Sequence, residues 1–252
     1  MRGNSLLSDL ICLFDQGRYS HAALYDGQKV VEMLQNGTTV NNLADSIATT
    51  LYADVYRFVE STGKPFGSPG LEREPVLDRV DFYEQNQQRY GYEQIFLVAI
   101  LCATRREATA NLSPLFARIL RGILDHAADA IAQLIHAGRQ PMICSELVYR
   151  CYTEAGPTYA IQVRGLQGVA AAASPAIAVR PVEMTPDAAS FQEEARKFLM
   201  NYALAKGHNV AARSFAMAST PEAVAAASAV ADFITPHDLE TSPSLQKVGQ
   251  LG

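Results

Sequence analysis

The chain has 252 residues, of which 48% are hydrophobic, enough for one full globular domain with a packed core. Its 21 Lys and Arg residues against 26 Asp and Glu residues give a net charge of −5, with no basic run interleaved with aromatic residues. This pattern argues against a nucleic-acid partner. Apolar stretches such as residues 95–103 are far shorter than the roughly 18 to 20 residues that span a bilayer, so we expect no transmembrane segment.

The amino-terminal residues show no Sec signal peptide, because Asp9 interrupts them before an apolar region develops. We therefore expect a cytoplasmic protein in the producing cell. The cysteines lack CxxC spacing and nearby histidine pairs, which argues against zinc and against a disulfide framework. We expect no metal and no cofactor. The four cysteines are Cys12, Cys102, Cys144 and Cys151.

The first quarter of the chain predicts strands. Short apolar or alternating runs at residues 10–14, 19–25 and 29–34 are separated by turn residues, and each is predicted to be a strand. Residues 52–59 alternate again and predict a fourth strand. An Asn/Thr-rich connection precedes this fourth strand.

Helical patterns follow the strands. Apolar residues recur at helical spacing from Pro75, and helices are predicted over residues 92–106, 114–137 and 141–155. A further helix is predicted over residues 191–206. Strands followed by helices indicate an α+β fold.

Two later regions complete the predicted organisation. Residues 158–230 are Ala-rich and predict an added helical layer or lobe. Residues 232–239 predict a strand followed by a turn, which would close back on the sheet. We expect one domain over residues 1–252 with residues 158–230 as a helical insertion.

A hairpin signal pairs a histidine with a carboxylate. Asp26-Gly27 between two alternating runs is typical of a two-residue type I′ turn. That register places His21 directly opposite Glu32, close enough for the carboxylate to hold one imidazole tautomer. The alternative interpretation is a half-buried strand histidine with a solvated glutamate, and this pair alone favours that alternative.

One cysteine lies at the predicted start of a helix. Cys144 shares an inward face with Leu147, Val148 and Cys151. Free N–H groups and the positive end of the helix dipole favour a thiolate there, and the N–H groups of Cys144 and Ser145 could hold an oxyanion. The other three cysteines are interpreted as small buried hydrophobes.

These segments together resemble the permuted NlpC-type papain-like proteins, in the YiiX-like branch related to lecithin–retinol acyltransferases. In that family the histidine strand precedes the cysteine helix, as it does here. The resemblance covers residues 8–59 and 88–156, and more loosely 232–249. The segments that carry it are Ser8-Asp9-Leu10-Ile11, Tyr19-Ser20-His21-Ala22-Ala23-Leu24-Tyr25-Asp26-Gly27, Val30-Val31-Glu32 and Ile143-Cys144-Ser145-Glu146-Leu147-Val148.

The resemblance implies a circularly permuted papain-like fold, with an antiparallel sheet packed on helices, and a cysteine peptidase or amidase. Cys144 would be the nucleophile, His21 the base and Glu32 the third member of a triad. Ser145, Tyr92 and Tyr19 are candidates for oxyanion or substrate binding. His237 is the rival base, and Glu146 is expected to be structural.

Relatives act on peptidoglycan peptides, N-acyl amino acids and lipids. We expect hydrolysis of a peptide or acyl amide through an acyl-enzyme. A cell-wall target would require leaderless export, for example as a secreted effector, or release by lysis. Two alternatives stay open: a lipid or thioester acyltransferase or thioesterase that uses the same site, and an inactive papain-like binding module.

Overall fold

The structure, a computed structural model, has an α+β fold, as the sequence predicts. It describes residues 1–34, 37–85, 89–90, 93–104, 112–163, 186–207 and 231–251. The helices are α1 (Leu6–Asp15), α2 (Leu43–Ile47), α3 (Glu74–Gln85), α4 (Glu93–Thr104), α5 (Pro114–His136), α6 (Cys144–Thr153), α7 (Pro186–Ala205) and α8 (Pro236–Glu240). A 3-10 helix covers Pro157–Tyr159.

Within the described residues, the strands form three small sheets. They are β1 (Arg2–Gly3), β2 (Ala23–Tyr25), β3 (Val30–Leu34), β4 (Gly37–Asn41), β5 (Thr50–Phe58), β6 (Arg89–Tyr90), β7 (Gln140–Pro141) and β8 (Leu245–Leu251). Two sheets are antiparallel, with orders β1-β5-β8 and β2-β3-β4, and β6 pairs with β7 in parallel.

The strand predicted over residues 10–14 is wrong, because these residues lie in helix α1. The side chain of Ser5 caps this helix by accepting a hydrogen bond from the backbone N–H of Ser8. Leu10, Ile11 and Phe14 then fall on one buried stripe at helical spacing. A short apolar run does not distinguish a strand from a buried helix segment.

The predicted hairpin is present, but its register differs from the predicted one. Ala23, and not His21, lies opposite Glu32, and Tyr25 pairs with Val30. The loop is four residues long because the carboxylate of Asp26 accepts hydrogen bonds from the backbone N–H groups of Gln28 and Lys29. The register therefore shifts by two residues, which keeps every side chain on its predicted face.

The region after the hairpin contains two elements that the sequence did not predict. Strand β4 extends the hairpin sheet, and α2 follows it, capped by Asn42. Both lie in the stretch interpreted as an Asn/Thr-rich connection. The fourth predicted strand is β5, which covers Thr50–Phe58.

Helix α7 lies in the region predicted as an added lobe. It packs against α4 and α5, and its Phe191, Phe198 and Tyr202 are buried in the same core as α1. The described part of this region thus shares the main helical core. Residues 164–185 and 208–230 lie outside the described residues.

The chain closes on a sheet through residues later than predicted. Residues 232–239 form no strand, because Thr235 and Asp238 make a capping box that starts the one-turn helix α8. Strand β8 then pairs antiparallel with β5. The closing element is therefore Leu245–Leu251.

Two hydrophobic clusters organise these elements. The first joins α1, α4, α5 and α7. The second joins β3, β5, α3 and α6, and it includes Cys144 with Val31 and Met33. The helix that starts at Cys144 thus packs on the sheet that carries the hairpin.

Candidate functional site

A buried histidine and glutamate are hydrogen-bonded in the hairpin sheet. The Nε2 atom of His21 lies 2.8 Å from Oε2 of Glu32, and the two side chains are 10% and 4% exposed. His21 lies two residues before β2, so it is a diagonal neighbour of Glu32. Diagonal neighbours are within reach of long side chains. The expected base and its orienting carboxylate therefore do meet.

The second oxygen of Glu32 is held by two further donors. Asn41 Nδ2 and Ser46 Oγ both donate to Oε1, at 2.8 Å and 2.7 Å. Burial raises the pKa of Glu32, but the hydrogen bonds and charge of His21, with these two donors, lower it to about 2. The group is therefore a carboxylate at neutral pH. A carboxylate can only accept, so Nε2 of His21 carries a proton.

Cys144 is the first residue of α6 and is fully buried. Ile143 occupies the N-cap position, and its side chain has no acceptor for the N–H groups of the first turn. The stripe that begins at Cys144 continues through Val148 and Tyr152, which line a cavity beside His21. The face of α6 that carries Cys144 therefore contributes to the wall of the cavity that His21 also lines.

The amino nitrogen of Met1 lies beside His21. The nitrogen of Met1 donates to the carbonyl oxygen of His21 at 2.9 Å. Burial lowers the pKa of this amine, and the charges of Cys144 and then Asp54 raise it. Ala22, next to His21, also packs against the cluster that contains Cys144. The hairpin that follows His21 thus packs against the helix and the cluster that contain Cys144.

The three candidates for oxyanion or substrate binding differ in position. The hydroxyl of Ser145 donates to the carbonyl oxygen of Ile234, so this side chain joins α6 to the segment before α8. Tyr19 is buried, lines the cavity and donates to Asp54. Tyr92 lies outside the described residues.

His237, the alternative candidate for the base, does not line the cavity. The backbone N–H of His237 donates to Asp15, its ring is 3.5 Å from Glu240, and its Cβ lies against Gly17. His237 is one-third exposed and is not among the residues that line the cavity. It therefore belongs to the junction between α1 and α8.

Glu146 has the structural position that was expected. It is fully buried and forms ion pairs with Arg150 and Lys206, both at 2.6 Å. Arg150 and Lys206 also pair with the buried Asp232. This buried ion cluster, Glu146, Arg150, Lys206 and Asp232, joins α6 to the end of α7 and to the tail.

Sequence reasoning missed four residues around the site. Asn41 and Ser46 hold Glu32, while Asp54 and Tyr56 stand in the cavity wall. Asp54 and Tyr56 alternate on β5, so two polar residues on one face of a half-buried strand were the available signal. Asn41 and Ser46 gave none, because β4 itself was not predicted.

No protein-family model, curated protein or solved structure matches this chain. Across the described ranges, no helix is both long and apolar enough to cross a membrane. Within those same ranges, no three His, Cys, Asp or Glu side chains are grouped as a metal site.

Proposed function

We propose that the protein is a cysteine hydrolase of the permuted papain-like kind that cleaves an amide bond. The carrying observation is the buried His21–Glu32 hydrogen bond of 2.8 Å, on the sheet against which the Cys144 helix packs. A histidine oriented by a carboxylate next to a cysteine at a helix start is the arrangement of an activated thiol nucleophile.

The order of elements supports the permuted fold. The strand region with His21 precedes the helix with Cys144, and the β2–β3–β4 sheet packs on α6.

In the proposed reaction the sulfur of Cys144 attacks the carbonyl carbon of the scissile amide. The N–H groups at the start of α6 would hold the oxyanion. Since Nε2 of His21 donates to Glu32, the other ring nitrogen, Nδ1, takes the thiol proton and gives it to the leaving amine. The C–N bond breaks to leave a thioester, and water, deprotonated by His21, then releases the acid and restores the thiol.

The test is alkylation of the native protein with limiting iodoacetamide from pH 5 to pH 9, with the adduct located by mass spectrometry. We expect Cys144 to react preferentially at low pH, and His21→Ala to abolish this preference. Three cysteines serve as internal controls. Burial raises the pKa of the half-buried Cys12 and of the buried Cys102, and Cys151 is buried on the same helix as Cys144.

Equal labelling of several cysteines, or no labelling of Cys144, contradicts the proposal. Preferential labelling that persists in His21→Ala removes His21 from the mechanism. A matched control is His136→Ala, because His136 is an exposed histidine on α5.

A further inference from the structure

A cavity of about 210 Å³ adjoins the candidate site. Most of its wall is apolar and comes from both antiparallel sheets, from α6 and from the α8 region. Against this apolar wall stand a few polar side chains, which is the usual character of a pocket that orients a small ligand. These polar side chains include Tyr19, His21, Asp54, Tyr56 and Glu240.

One carboxylate oxygen of Asp54 accepts hydrogen bonds, whereas the other has no hydrogen-bond donor among the described residues. Its side chain is 2% exposed, and Oδ2 accepts hydrogen bonds from the hydroxyl of Tyr19 and from Nζ of Lys247. Oδ1 is buried and finds no donor among the described residues. A buried acceptor without a partner is destabilising, so a group of this kind calls for an explanation.

The charge state of Asp54 restricts what its free oxygen can bind. Burial raises the pKa of Asp54, but hydrogen bonds from Lys247 and Tyr19 bring it below its ordinary value. Asp54 is thus a carboxylate at neutral pH, and Oδ1 can only accept. Because Lys247 already offsets the negative charge, the oxygen requires a hydrogen-bond donor and no second cation.

Asp54 lies close to the candidate catalytic groups. It contacts Tyr19, which is two residues before His21, and both tyrosine and histidine line the cavity. Met1, whose nitrogen donates to the carbonyl oxygen of His21, lines the same cavity. A substrate in the cavity would therefore lie beside both His21 and Asp54.

We infer that Oδ1 of Asp54 accepts a hydrogen bond from a backbone amide N–H of the substrate. The substrate class is then a peptide with small or aliphatic side chains, which fit the apolar wall, and not a lipid ester, which lacks such a donor. This inference rests on the proposed function. It adds a specificity-determining residue on β5 that the triad does not include.

The test uses tripeptidyl chloromethyl ketones of alanine and leucine, which alkylate a catalytic cysteine with loss of chloride. One backbone N–H at a time is replaced by an ester oxygen, which removes the donor with little change in shape. In the unmodified protein we expect one ester analogue to inactivate Cys144 on the order of tenfold more slowly than its parent. The other analogues should react at the parent's rate.

Asp54→Asn should abolish or reverse this difference. Tyr19 and Lys247 would bond the amide oxygen of Asn, which places its NH₂ group where Oδ1 was. An NH₂ group there donates to the ester oxygen and no longer accepts. The control Asp125→Asn removes the same charge at an exposed position of α5 and should retain the tenfold difference.

The outcomes separate the two proposals. If no probe modifies Cys144, the proposed function fails. If all probes modify Cys144 at one rate, or if Asp54→Asn retains the difference, the role of Asp54 fails and the hydrolase proposal stands. Should Asp54→Asn not fold, the double variant Asp54→Ser/Lys247→Met leaves no buried charge unpaired, and it should likewise lose the difference.

Discussion

Glu32 lies directly opposite Ala23 in the hairpin, and its carboxylate nevertheless binds the ring of His21, two residues earlier. The contact is diagonal across the strand pair. Its geometry depends on the length of both side chains and on Asn41 and Ser46, which donate hydrogen bonds to the other oxygen of Glu32. Changes at Glu32, or at the two residues that hold it, should therefore affect the histidine.

Glu32→Gln should lower the free energy of unfolding at neutral pH and make it depend less on pH between pH 4.5 and pH 2. The pKa of Glu32 falls from 4.5 to about 2 on folding, so the ionised group stabilises the protein above pH 4.5. This stabilisation is lost as the pH falls toward 2, and amounts to at most about 3 kcal/mol. Urea denaturation of both proteins at pH 7, 4.5, 3 and 2 measures it. Parallel pH profiles for the two proteins would contradict the assignment.

Asn41→Ala and Ser46→Ala should each cost about 1–2 kcal/mol of stability, because each removes a hydrogen bond to a buried charge. Both residues donate to Oε1 of Glu32, so each partly compensates for loss of the other, and the double variant should cost more than the sum of the single variants. Each variant should also raise the pKa of Glu32 and move acid unfolding to higher pH. A double-mutant cycle by urea denaturation, with the exposed Gln28→Ala as control, measures the coupling. Strict additivity would show that the two donors act separately.

Ser145→Ala removes the hydroxyl of Ser145 and keeps its backbone N–H, so it tests the role of the hydroxyl alone. The hydroxyl is buried against the carbonyl oxygen of Ile234, and its loss should cost about 1–3 kcal/mol. Labelling of Cys144 by iodoacetamide should keep its pH dependence, since the helix start is unchanged. Thermal denaturation and alkylation on the same samples provide both measurements. Loss of the low-pH reactivity without loss of stability would assign the hydroxyl to the chemistry.

Lys206→Met should destabilise the protein by about 3–5 kcal/mol, because it leaves Glu146 and Asp232 buried with less compensating charge. Adding Glu146→Gln should recover part of that loss. The control Lys197→Met removes an exposed lysine from the same helix and should change stability by less than about 0.5 kcal/mol. Urea denaturation compares the variants. Equal effects at positions 206 and 197 would contradict the described ion cluster.

Gln16→Gly should stabilise the protein by about 1 kcal/mol. Gln16 ends α1 with a φ of 55°, in the left-handed region that disfavours any side chain. The residue is exposed, so no packing is lost. The shift in thermal midpoint tests this expectation. A lower midpoint would show that its side chain has a role outside the backbone conformation.

The long periodic helices were the most predictable part of the fold. Residues 114–137 were predicted as a helix and Pro114–His136 is one, because a capping Ser113 and a strong apolar stripe agree. Residues 10–14 were assigned to a strand because five apolar residues lack a period. Their helix became identifiable only through the cap at Ser5 and the packing of α1 on α4.

For the candidate site, the correct pair of residues was predicted from an incorrect register. The two-residue shift preserves the face of each strand, so His21 and Glu32 still meet. An odd shift would have separated them. Asp54 was not predicted, because its partners Tyr19 and Lys247 are 35 and 193 residues away in the chain. The alternation of Asp54 and Tyr56 indicates a polar face, but partners this far away are set by tertiary packing and cannot be identified from it.

Lys206 and Asp232 have a consequence for chain connectivity. Their side chains are 3.3 Å apart, so the residues between them begin and end at one fixed point of the ion cluster. The ion cluster therefore fixes the end of α7 and the segment before α8 to the cysteine helix at one point.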